Sequence, residues 1–119
     1  MKKLYILDKH NKPKLCEDTL KWAAWFETHD RTVLVDDITS KIYVSTVFLG
    51  IDHNFSGDGP PILWESMIFN GARNGYSERY SSKKAALVGH ERVVAIARGE
   101  HEAPKAARPK TKKIKSDDD

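Results

Sequence analysis

Two imidazoles and two carboxylates are the residues best suited to chemistry. Asp52 and His53 are adjacent at the start of a glycine-rich stretch, Glu65 follows in an apolar run, and His90 sits in an apolar pattern of helical period. Such groups, if they converged at one end of a sheet, would form an acid/base pair or hold a divalent cation. The spacing supports neither outcome strongly: there is no H-E-x-x-H pattern, no repeated Cys or His pair, and no second carboxylate at a regular offset. Each residue also has a structural role open to it. Asp52 and Asn54 are good turn formers, His90 on an apolar helix face suits a core histidine with a hydrogen-bonded nitrogen, and Glu65 can pair with Arg79 or Arg92. The sequence therefore assigns no catalytic residue, metal ligand or cofactor, and offers Asp52, His53, Asn54, Asp58, Glu65 and His90 as a candidate binding loop and pocket.

The Gly57-Asp58-Gly59 stretch invites comparison with a phosphate-binding loop, whose bare amides cradle anions. No Lys followed by Ser or Thr comes after it, Pro60 and Pro61 follow instead of a helix start, and Asp58 would repel a phosphate. A hairpin loop is the better reading. A second candidate surface is the C-terminal stretch, where Lys105, Arg108, Lys110, Lys112, Lys113 and Lys115 occur with no acid between them. These cations would neutralise phosphates and give salt-dependent, sequence-independent affinity for nucleic acid, opposed by Asp117, Asp118 and Asp119.

The elements that must position these groups are legible in outline. A chain of 119 residues with net charge +3 fits one domain, and its 39% apolar content is diluted by the last twenty positions. Residues 4–7 and 14–16 flank a turn-rich segment and predict a hairpin. Asp18 predicts an N-cap for a helix over residues 19–28, on which Trp22, Trp25, Phe26 and His29 form one stripe that favours a place in the core. Residues 32–36 and 41–49 read as strands, and the second is apolar on both faces, which predicts a central strand covered on each side. Residues 50–61 form a long loop, residues 62–69 another strand and residues 78–80 a short edge strand. Ser81 or Ser82 caps a last helix running to about Arg98, with Gly99 as its stop. Gly89 inside that helix points to a close approach by another backbone.

The expected fold is thus α+β, a small antiparallel sheet of about four to five strands packed with two helices. It forms one domain over residues 1–99, and residues 100–119 make a disordered basic tail ending in acids. Cys16 is the only cysteine, which excludes an internal disulfide, and no apolar run suggests a signal peptide or membrane span, so a cytoplasmic protein without membrane contact is expected.

The block VSTVFLGIDHNFSGDGPPILWESMIF at residues 44–69, with WAAWFE at 22–27, ERYS at 78–81 and Gly89-His90, resembles a family of small, mostly uncharacterised proteins of tailed bacteriophages. Ser56 and Asp58 interrupt what is usually a plainer glycine run. The resemblance implies a phage product in the bacterial cytoplasm and carries no catalytic residues. Together with the missing catalytic motif and the long loops, it favours a non-enzymatic accessory protein that binds a host macromolecule, in host takeover or anti-defence. The alternatives are a nucleic-acid-associated protein using the basic tail and, behind it, a small metal-dependent or acid/base enzyme.

Overall fold

The computed structural model describes residues 2–100. The expected basic tail and its lysines therefore lie outside the described residues. Eight elements follow in chain order: β1 (Tyr5–Leu7), β2 (Pro13–Leu15), α1 (Thr19–Thr28), β3 (Thr32–Asp37), β4 (Tyr43–Phe48), β5 (Trp64–Phe69), β6 (Ser77–Tyr80) and α2 (Lys83–Ala97). The fold is α+β. Its main sheet is an antiparallel meander in the order β3-β4-β5-β6, and β1 and β2 form a separate hairpin.

Local chemistry explains most boundaries. The β1–β2 turn is held by the Asp8 carboxylate, which accepts from the amides of His10 and Lys12 and lies below the usual carboxylate range because of those bonds. Asp18 caps α1 by accepting from the Lys21 amide, and Ser82 caps α2 through the Ala85 amide. Gly99 follows α2 at φ +80°, a left-handed conformation that suits glycine.

The hairpin is fastened to the end of β4. Leu4 bridges Ile51, the Tyr5 amide donates to the Gly50 carbonyl, and the Asp52 amide donates to the Lys3 carbonyl. Beyond Phe48 the chain leaves β4 at Gly50, whose φ is +77°, and is held by these bonds and by the His53 amide, which donates to the Ile62 carbonyl. The expected loop over residues 50–61 contains no helix or strand, and its one sheet-like contact is the isolated bridge at Ile51. Helix α1 locks this joint: Trp22 Nε1 donates to the carbonyls of Tyr5 and Gly50 at 3.1 and 3.0 Å, and Phe26 lies against Gly50. A Cβ at position 50 would come within 3.3 Å of the Phe26 ring, in a backbone at φ +77°.

Helix α2 lies on one face of the sheet, and α1 packs on β1 and reaches the same face through Trp25. The buried side chains Val44, Thr46 and Phe48 of β4 and Trp64, Ser66 and Ile68 of β5 alternate toward that face. Val93, Val94 and Ile96 of α2 pack on Val44 and Ile68, while Ala86 joins Phe48, Leu63, Trp64 and Tyr80. Trp25 of α1 meets the Phe48 ring edge-on at 6.0 Å between centroids. Strand β4 is central, as expected, yet the expected cover on its second face is missing: among the described elements, none packs on the side of Tyr43, Ser45 and Val47. Gly89 likewise meets a side chain and not a backbone, because a Cβ there would overlap the Tyr80 ring.

Candidate functional site

Two places gather chemically capable side chains. The first is a polar chain buried beneath α2. Thr46 and Ser66 are cross-strand partners on β4 and β5, both fully buried, and their hydroxyl oxygens are 2.5 Å apart. The Thr46 hydroxyl is also 2.6 Å from His90 Nδ1, and His90 Nε2 is 2.7 Å from Asp36 Oδ2 on β3. A neutral ring protonated on Nε2 satisfies both contacts, donating to Asp36 and accepting from Thr46.

A second polar group lies at β6. Tyr80 lies under Gly89, and its hydroxyl donates to Glu78 Oε1 at 3.4 Å. Glu78 in turn accepts from the Tyr76 hydroxyl at 2.6 Å and from Arg92 on α2. Burial, and then the neighbouring carboxylate, pushes the Tyr76 phenol far above its ordinary value, and burial raises that of Tyr80. The Glu78 carboxylate raises the Arg92 guanidinium. Asp36, His90 and a hydroxyl are the residue types that activate a nucleophile. Here the imidazole and both hydroxyls are sealed from solvent, so no substrate reaches them. Their work is to join α2 to three strands with every buried polar group partnered.

The second place is the glycine-rich loop. Asp52 Oδ1 accepts from the amides of Asn54 and Ile62. Asn54 Nδ2 donates to the carbonyls of Asp58 and Pro60, and Asn54 Oδ1 accepts from the Ser56 amide and hydroxyl. His53 Nδ1 contacts the Ile51 carbonyl. These polar side chains brace the loop from within. What the loop presents is Phe55, 64% exposed, with the His53 ring beside it and the Lys2 ammonium 5.2 Å from its centroid. Lys2, Lys3, Tyr5, Asp52 and Phe55 help line a cleft of about 510 Å³ there.

The candidate residues therefore separate. Asp52, His53, Asn54 and Asp58 share the loop. Glu65 points to the helix-free face of the sheet and pairs with Arg79 at 2.9 Å, and His90 lies on the opposite face in the core. No group of three or more His, Cys, Asp or Glu side chains among the described residues is placed to hold a metal ion, and none of their helices is long and apolar enough to cross a membrane. No family model, curated protein or solved structure matches the chain. Asp36, Thr46 and Ser66 escaped the sequence reading, although a hydroxyl interrupting an apolar alternation is a signal for the latter two. Phe55 was also passed over, and a lone large aromatic between turn formers was its signal.

Proposed function

We propose that this chain is a non-enzymatic binding module that alters a host macromolecule by occupying it, with the loop over residues 54–60 as the contact surface. The observation that carries the reading is Phe55, an exposed aromatic on a loop whose polar groups are already bonded to one another. An anchor held in place before binding loses little conformational entropy on docking, and aromatic anchors dominate interface energies. Lys2 and Lys3 beside it favour a partner surface that is apolar with acids at its margin. The sealed state of the His90 chain supports occupancy over catalysis. The resemblance to tailed-phage proteins supplies the host context.

The test compares captures from bacterial lysate by the full chain and by Phe55→Ala, a change outside the core. A protein recovered by the parent and reduced at least about tenfold with the variant supports the reading, as expected for an anchor worth more than about 1.4 kcal/mol. Equal recovery by both overturns it. Recovery of nucleic acid alone, lost on removing residues 101–119, would favour the tail-based alternative.

A further inference from the structure

The helix-free face of the sheet is the largest feature the proposed function leaves unused. Cross-strand pairing places Tyr43 against Phe69, Ser45 against Met67 and Val35, and Val47 against Glu65 on this side. The Tyr43 and Phe69 rings stack at 4.7 Å and 9°. The face does not end at Phe48. Gly50 turns toward Phe26, and Tyr5 and Leu7 pack with the Phe48 cluster, so the alternate residues Leu49, Ile51, Leu4 and Ile6 fall on the helix-free side. Leu4, Ile6, Tyr43, Val47, Leu49, Ile51, Met67 and Phe69 are all half-buried, and Val35 is 51% exposed.

We propose that a second copy of this chain covers that face, the two sheets packing against each other as the layers of a sandwich. Area is the first argument. Four strands at about 4.8 Å spacing and a run from Tyr43 to Ile51 at about 3.4 Å per residue give a footprint of roughly 570 Å². Two copies would bury about 1,100 Å² or somewhat more, near the lower bound for a specific interface. A patch of this size is at the upper end of what monomers leave uncovered.

Charge is the second argument. The interior of the face carries only the Glu65–Arg79 pair, which leaves no free cation there for phosphates or an anionic membrane. At its margins stand Asp37, opposite Tyr43 on β3, and Lys14, opposite Ile6 on β2. Both lie on the same flank of β4, one at each end. A two-fold axis between the sheets and perpendicular to β4 exchanges the ends and keeps the flank, so Asp37 of each copy meets Lys14 of the other. The contact is isologous and closed, and it adds no open edge.

Sedimentation of the full chain over a range from about 1 to about 300 µM tests this, since an interface of this size gives micromolar association. A dimer that forms with rising concentration is expected. Val35→Lys, at an exposed position, and Met67→Lys should each leave the chain monomeric with an unchanged circular-dichroism spectrum. Asp37→Lys and Lys14→Asp should each weaken association, and combining them should restore it. A parent that stays monomeric over the whole range overturns the proposal, as does dimerisation that survives both Val35→Lys and Met67→Lys. A monomer whose helix-free face instead binds vesicles, nucleic acid or another protein would also overturn it. Phe55→Ala should dimerise like the parent, which separates this result from the fate of the loop.

Discussion

The two faces of the main sheet each mix polar and apolar groups, and they differ in what covers them. The face under the helices contains Thr46, Ser66 and Glu78 and receives His90, whereas the uncovered face presents Tyr43, Val47, Met67 and Phe69. The same four strands supply both. What decides the difference is fit to α2. Its apolar stripe covers Val44 and Ile68, its His90 reaches into the hydroxyl pair, and its Gly89 admits the Tyr80 ring. Polar groups are tolerated inside because each finds a partner, and apolar groups outside await a second layer.

The largest effect is expected where that fit is tightest. A Cβ at Gly89 would overlap three atoms of the Tyr80 side chain, so Gly89→Ala must push the ring or the helix away from β6. Overpacking of this kind costs about 1–3 kcal/mol against a small gain in helix propensity. Urea unfolding should show a net loss of about 2 kcal/mol. No loss would mean that the ring moves freely and that α2 is held elsewhere.

Next in size is the polar chain. Thr46→Val leaves His90 Nδ1 and Ser66 with one partner fewer, at a cost of about 1–3 kcal/mol. Changing Thr46→Val, Ser66→Ala and His90→Leu together removes the buried polar atoms instead of orphaning them, and should recover a large part of that loss. Additive losses in the triple variant would break the account. Ser45→Ala, one position away on the uncovered face, should stay within about 0.5 kcal/mol by the same measurement.

How much of this could be read beforehand depended on range along the chain. The caps at Asp18 and Ser82, the first hairpin and the central place of β4 follow from chemistry within a few residues, and each was legible. The crowding at Gly89 was legible as an approach, but not as an approach by a ring nine residues earlier. Asp36 and His90 are separated by 54 positions, and no spacing rule links an acid at the end of a strand to a histidine on a distant helix. His90 and Glu65 lie apart for a related reason: alternation sends Ser66 to α2 and Glu65 to the other side, and the sequence alone does not say which face a helix will take. Apolar residues on both sides of β4 read as cover on both sides because periodicity cannot distinguish a missing layer from one supplied by another molecule.

The smallest effect concerns the two phenols at the β6 end of the covered face. Tyr76 and Tyr80 are both raised from an ordinary value of 10.0, by burial first in each case. Below that pH the folded and unfolded chains both keep these protons, and the stabilisation is fully present. Above it the unfolded chain releases them while the folded one still holds them, so the folded state binds more protons and stability falls as pH rises. Thermal unfolding followed from about pH 9 to about pH 11 should show melting temperatures declining above the phenol range. Tyr76→Phe removes one of the shifted groups, together with its bond to Glu78, and should flatten that decline while lowering the plateau. A variant with the parent's full alkaline slope would show that Tyr76 does not carry the loss and would leave Tyr80, beside the same carboxylate, as its source.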